Sequence, residues 1–172
     1  MAEYLYLPCM IRTAVQQDLP QIVAIHNQAI LQPFQTADMD LLTVKDRVEW
    51  FELHKPEQYP VLVFETDGEI RGWLSISPYR PGRRALRSCV EISFYVDQHF
   101  QRKGIGVALV EQACIVCKNM GYHSAFAIIL DKNTPSIALM EHCGFTRWAH
   151  LPDIADFDGK TCGQVYYGIH LP

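Results

Sequence analysis

The chain has 172 residues, 49% of them hydrophobic and 20% charged, with a formal net charge of −4 at pH 7 and an isoelectric point near 5.9. A chain of this length buries roughly two-thirds of its unfolded surface without needing a disulfide or metal staple, and its acidic balance argues against a nucleic-acid partner, whose phosphates require a basic field. No apolar run reaches the roughly 18–20 residues of a membrane span and nothing in residues 1–10 reads as a secretion signal, so a cytoplasmic protein with no membrane partner is expected.

Residues 1–9 read as an extension ahead of one domain spanning 10–172. A first strand is expected over 10–14. Asp18 is a helix start signal and Pro20 is tolerated in a first turn. From Leu19 onward, Ile22, Ile25, Ala29 and Ile30 recur at helical spacing. The polar, proline-containing stretch 32–42 ends that helix, and Thr43 can cap a second one that turns Val44, Val48 and Phe51 inward. The period then changes. Residues 61–66 are β-rich, and Asp67-Gly68 is a hairpin signal before a strand over 69–77. Residues 90–96 read as a strand, and 105–120 as an amphipathic helix closed by Gly121. A buried strand follows over 125–130, then a short helix over 135–142 stopped by Gly144. Two final strands, around 146–151 and 164–170, flank a turn-rich loop containing Asp158-Gly159. Interleaved helices and hairpins predict an α/β domain with a sheet of mixed direction.

The cysteines Cys9, Cys89, Cys114, Cys117, Cys143 and Cys162 are irregularly spaced, as free thiols in a reducing compartment would be. Cys114 and Cys117 form a C-x-x-C, but inside a helical stretch and with no second pair or histidines at zinc spacing. Packed thiols are the expectation, and no metal site.

The sharpest chemical feature is Gln101-Arg102-Lys103-Gly104-Ile105-Gly106, between a strand and a helix start. The first N–H groups of a helix lack internal partners and its dipole is positive there, which makes an anion site. Glycine admits a close backbone approach to a phosphate, and Arg102 and Lys103 add charge. Tight packing alone is the other reading of a Gly-x-Gly at such a turn. The phosphate loop G-x-x-x-x-G-K-[ST] and the dinucleotide fingerprint G-x-G-x-x-G are both absent, since Val107, Ala108 and Leu109 follow Gly106. Farther along stand Asn133-Thr134-Pro135-Ser136 and Cys143-Gly144-Phe145; the former is also a plain helix start signal.

Glu91 is the candidate base, since a positioned carboxylate can take a proton from a reacting group. Strand alternation puts Glu91, Ser93 and Tyr95 on one face and Val90, Ile92, Phe94 and Val96 on the other, and a carboxylate in mid-strand has poor β propensity. A solvated strand face, or an ion pair with Arg80 or Arg87, is the alternative.

In this order and spacing the chain resembles the GNAT superfamily of N-acetyltransferases, and within it the phosphinothricin and methionine sulfone (sulfoximine) acetyltransferase branch. The resemblance runs through Ile11-Arg12, Ile25-His26-Asn27, Tyr59-Pro60-Val61-Leu62-Val63, Val90-Glu91, Phe94-Tyr95-Val96, the glycine loop, Gly121-Tyr122, and Asn133 to Phe145. It implies a GNAT fold: a mixed, mostly antiparallel twisted sheet flanked by about four helices, with acetyl-CoA as co-substrate beside the 90–96 strand. By the same resemblance Phe94, Tyr95 and Val96 offer backbone groups to the pantetheine arm and, near Tyr95–Val96, to the developing oxyanion. Arg102, Lys103, Gly104, Ile105, Gly106 and Val107 wrap the pyrophosphate, and Asn133 and Ser136 contact the cofactor arm. Glu91 acts on the acceptor amine, directly or through water. A homodimer is the family's habit.

Some positions depart from that pattern. The family's proton donor to the leaving thiolate falls on Met140, which cannot donate, and His142, roughly 200° farther round the helix, is poorly placed to replace it. Ala37 stands where an aromatic residue near the substrate is usual, with Phe34 close by. The C-terminal Gly-x-Trp-x-Asp-Val reads here as Thr161-Cys162-Gly163-Gln164-Val165.

Arg80, Arg83, Arg84 and Arg87 occupy the loop before Glu91, where the family binds substrate. A guanidinium, with Arg84 as candidate, would grip the acidic group of an amino acid while Glu91 faces its amine; a solvated basic loop is the other reading. The expected reaction is direct transfer from acetyl-CoA to an amino-acid analogue such as phosphinothricin, methionine sulfone or methionine sulfoximine. A polyamine, an aminoglycoside or a protein N-terminus is the alternative acceptor, left open by Asp153, Asp156 and Asp158. A catalytically idle acyl-CoA sensor is the third reading, suggested by Met140 and opposed by Glu91.

Overall fold

Apolar alternation in the middle of the chain closes into one continuous sheet. The computed structural model describes residues 10–172; the extension expected over residues 1–9 lies outside them. Seven strands, β1 (Met10–Thr13), β2 (Val61–Thr66), β3 (Glu69–Pro78), β4 (Cys89–Val96), β5 (Ser124–Leu130), β6 (Thr146–Phe157) and β7 (Lys160–His170), pair in the order β1-β2-β3-β4-β5-β7-β6. Among the described residues only β4 and β5 run parallel. Four helices, α1 (Leu19–Ile30), α2 (Val44–Leu53), α3 (Ile105–Asn119) and α4 (Thr134–His142), cover the faces. This is the mixed, mostly antiparallel architecture expected.

Two apolar clusters hold the layers. On one face Leu74, Ile76, Val90 and Ile92 meet Leu109, Val110 and Ala113 of α3 and Met140 of α4. On the other, Val61, Val63 and Trp73 meet Ile22 and Ile25 of α1. Each such aliphatic side chain contributes about 1.5–3 kcal/mol by leaving water. Cys117 is fully buried in the first cluster and Cys114 half-buried, and burial pushes their thiols up to about 12 and about 11. Among the described residues no three histidine, cysteine or acidic side chains gather as a metal site would require, and no helix is long and apolar enough to cross a membrane.

The structure departs from the sequence expectations in two places. Thr43 does cap α2, accepting from the Asp46 N–H while Asp46 accepts from the Thr43 N–H at 2.7 Å. However, Val44 is 39% exposed, because the helix reaches the second cluster only through Trp50 and Phe51. The turn-rich loop expected after residue 151 is instead the far half of a long β6–β7 hairpin, which closes at Asp158-Gly159. Pro152 lies within β6 because β6 is an edge strand, where a missing N–H is tolerated. A register shift between Leu151 and Ala155 takes up the irregularity.

The feature that makes a site is a short pairing. β4 meets β5 only at Cys89–Ser124, Val90–Ala125 and Glu91–Phe126. Past Glu91, β4 continues against β3 as far as Val96, and β5 continues against β7 as far as Leu130. The two halves of the sheet therefore part just beyond Glu91.

Candidate active site

Two adjoining cavities fill this parting. The first, about 490 Å³, is lined by Phe94, Tyr95 and Val96, by Gln101, Arg102 and Gly104 to Val107 of the glycine turn, and by Ser136, Leu139 and His142 of α4. The second, about 270 Å³, is lined by Glu91, Ser93, Asp38, Asn133 and Gln164. Gln35, Phe94, Tyr95 and Ser136 border both. Something long can thus lie in the first and meet a small molecule in the second.

The glycine turn opens α3 with N–H groups that no helical carbonyl takes up. Gly104 caps α3 at φ 84°, a left-handed conformation that suits glycine. The first intrahelical bond runs from the Ala108 N–H to the Gly104 carbonyl at 3.0 Å, which leaves the N–H groups of Ile105, Gly106 and Val107 to a ligand. Together with the exposed Arg102 they fit a pyrophosphate. Gly106 has a packing reason as well: a Cβ there would lie 2.5 Å from Leu139 Cδ1. Lys103 does not line the cleft; its ammonium lies over the Phe100 ring, 4.3 Å from the centroid.

Asn133 is buried, accepts from the Ser136 N–H at 3.2 Å and donates to the Gln35 carbonyl at 3.4 Å. It thus caps α4 and ties it to the loop over the cleft. On α4, Met140 is fully buried in the core, whereas His142 lines the first cavity. His142 lies far round the helix from Met140, and since Met140 faces inward, that rotation is what brings His142 to the cleft.

Glu91 stands on the last rung before the strands part. Val90 and Ile92 point into the core, 0% and 1% exposed, so Glu91 points the other way, into the second cavity. Burial pushes its carboxyl above the ordinary range. Among the described residues no ion pair reaches it. Arg80 lies over the Tyr79 ring instead. Arg84 sits in an exposed turn and lines a separate cavity with Arg80, Arg83 and Arg87, so the structure does not bring it to Glu91. Phe34 packs edge-on against Phe157, while Ala37 lines the second cavity.

Across this cavity is a polar cluster that sequence reasoning missed. Asp38 accepts from His26 Nε2 at 2.7 Å, with Arg47 3.6 Å away. The His26 hydrogen bond holds the Asp38 carboxyl below the usual range, so it faces the cavity ionised. The His26 ring is itself buried, 4.5 Å from the Tyr95 ring. A signal was present, because His26 sits one turn after Ile22 on the apolar stripe of α1, and a polar residue there needs a partner. Asp38 carried none, lying in an aperiodic stretch.

Residues 19–145 match the acetyltransferase (GNAT) family. The chain belongs to that family. This GNAT acetyltransferase is similar to Bacillus subtilis YwnH, named provisionally as a phosphinothricin acetyltransferase, with 38% identity covering 94% of this chain and 98% of that one. It is 32% identical to the L-methionine sulfoximine/L-methionine sulfone acetyltransferase of Salmonella typhimurium, covering 94% of each chain. Among solved structures, a GNAT superfamily phosphinothricin acetyltransferase from Sinorhizobium meliloti in complex with acetyl-CoA superposes with a TM-score of 0.88 at 26% identity. That superposition covers 95% of this chain and 88% of the other. The chain is therefore an acetyltransferase enzyme.

Proposed function

We propose that this acetyltransferase moves the acetyl group of acetyl-CoA directly onto the amino group of a small amino-acid-like molecule. The observation that carries the reading is the parting of β4 and β5 beyond Glu91, with one cavity on each side of Phe94 and Tyr95. Acetyl-CoA would supply the activated acetyl group, held by the N–H groups of Ile105, Gly106 and Val107 and by Arg102. The names of the relatives support an amino-acid-like acceptor. Glu91 would take the proton that the acceptor's ammonium loses; a carboxyl raised by burial is a better base near neutral pH than an exposed one. Backbone groups of β4 past Glu91 that face β5 have no strand partner there. They are placed to hold the carbonyl oxygen as charge develops on it. A homodimer belongs to the same reading, and light scattering of the purified protein tests it.

A second reading changes the acceptor. The second cavity is lined by two carboxylates, Glu91 and Asp38, and by no lysine or arginine. That lining favours an acceptor with a bare cationic amine, such as a polyamine, over one whose carboxylate needs a grip.

The test is release of CoA thiol from acetyl-CoA across amino acids, their sulfone and sulfoximine analogues, phosphinothricin, polyamines and aminoglycosides. Turnover with an amino-acid analogue, lowered about 100-fold or more in Glu91→Ala with acetyl-CoA binding intact, is the expected result. Turnover confined to polyamines would favour the second reading. Tight acetyl-CoA binding with no turnover on any amine would sink both.

A further inference from the structure

Ser77 of β3 lies directly opposite Glu91 of β4. Such cross-strand pairs hold their Cβ atoms about 4.5–5.5 Å apart on one face of the sheet. The adjacent pair, Ile76 and Ile92, is buried on the other face, so Ser77 and Glu91 are immediate neighbours on the cavity side. The Ser77 hydroxyl is also 3.0 Å from His54 Nε2, and His54 Nδ1 is 2.7 Å from the Trp50 carbonyl.

These contacts settle which atom carries each proton. A carbonyl oxygen only accepts, so Nδ1 of His54 bears the ring proton. Burial holds the ring's pKa below its ordinary value, so the ring stays neutral at pH 7. Nε2 is then a bare acceptor, and the single hydroxyl proton of Ser77 goes to it. Ser77 has only lone pairs left to turn toward Glu91.

We propose that His54 is a positioning residue for the acetyl transfer: by taking the Ser77 hydroxyl proton, it denies Glu91 a hydrogen-bond donor and keeps that carboxylate basic. Without His54, the hydroxyl would rotate and donate to the Glu91 carboxylate, favouring its charged form and weakening it as a base. The inference rests on the reading of Glu91 as proton acceptor.

The other titratable or charged groups around Glu91 are few. Cys89 and Tyr95 share its face of β4, and burial pushes both up, which keeps them neutral. Asp38 faces it across the cavity, with His26 and Arg47 behind. Tyr79 and Arg80 lie beyond Phe126, its partner on β5. The β5 and β7 residues lining the cavity, Ala127 to Leu130 and Gln164, do not titrate. Among the described residues, His54 is the titratable group bonded to the hydroxyl that stands opposite Glu91.

The experiment is the pH dependence of kcat/KM with whichever amine the wild type acetylates, whose acid limb reports the base of the free enzyme. In His54→Phe, which keeps a ring and loses the acceptor, the limb's midpoint is expected to fall by about 1–2 pH units, the size of one hydrogen bond from a hydroxyl to a charged carboxylate. His54→Gln, whose Oε1 can still accept from Ser77, is expected to keep the wild-type midpoint. So is the double variant Ser77→Ala with His54→Phe, which has no hydroxyl to rotate. His54→Leu serves as the acceptor-free variant should the phenylalanine fail to fold.

An unshifted midpoint in the acceptor-free variant overturns the inference. So does an equal fall in the double variant, since that would report disturbed packing rather than a freed hydroxyl. Glu91→Ala in the same series separates this proposal from the reading beneath it. Activity and acid limb that survive Glu91→Ala overturn Glu91 as the base. Their loss in Glu91→Ala, with His54→Phe unshifted, overturns the role of His54 alone.

Discussion

Glu91 occupies a position that strand propensity would assign to a β-branched or aromatic residue, and among the described residues no ion pair compensates its burial. Its folded pKa is raised above the unfolded value. The stability that goes with its neutral form is therefore complete below the unfolded pKa and is lost as pH rises through the folded one. Glutamine mimics the neutral carboxyl, so Glu91→Gln is expected to melt with the wild type at pH 4 and above it at pH 8. Calorimetry at the two pH values checks this; a variant that melts lower at pH 8 would mean that the ionised carboxylate has a stabilising partner. Glu91 was legible in the sequence because alternation along one strand is local. Asp38 and His26 were not, because their pairing joins a helix to an aperiodic loop. The reach of Arg84 was misjudged for a related reason. Nearness to Glu91 in the chain does not set which way the loop turns, and the arginines border a cavity of their own.

Where α3 meets α4, the glycine turn answers to two demands. Exchanging Gly106 for alanine gains about 1 kcal/mol of helix propensity but places a methyl group 2.5 Å from Leu139 Cδ1. Overpacking of that kind costs about 1–3 kcal/mol. Gly106→Ala is therefore expected to be destabilising by up to about 2 kcal/mol, and adding Leu139→Ala is expected to cost less than the two changes summed. Denaturant unfolding of the single and double variants measures this. A stabilised Gly106→Ala would show that α4 gives way, leaving close approach of a ligand as the reason for the glycine. Capping was readable for α2, because Thr43 and Asp46 are three residues apart and satisfy each other. The length of β6 was not readable, because whether a proline ends a strand depends on whether a neighbour needs its N–H, and only the sheet order places β6 at the edge.

The whole molecule is a sheet in two halves, joined between β4 and β5 by three paired positions and spanned by α3 and α4 on one face. A ligand seated in the parting bridges both halves, so its binding energy is added to the stability of the entire fold. At 100 times its dissociation constant, acetyl-CoA is expected to contribute about 2.7 kcal/mol. In a chain of this size that is about 5–10 °C in Tm. A thermal shift titration reads it, and a Tm indifferent to acetyl-CoA would argue against the cleft as its seat.

The amino-acid sequence by itself determined the strand and helix succession, the glycine turn that opens α3 at Gly104 and the orientation of Glu91, because each depends on periodicity or on groups a few residues apart. The tertiary structure alone decided that β4 and β5 part just past Glu91, that His142 rather than Met140 faces the cleft, and that Ser77 stands between Glu91 and His54. Those facts depend on which strands become neighbours and on which side of a helix meets the core. Both come from packing apolar surface over the whole chain, and no local spacing records them.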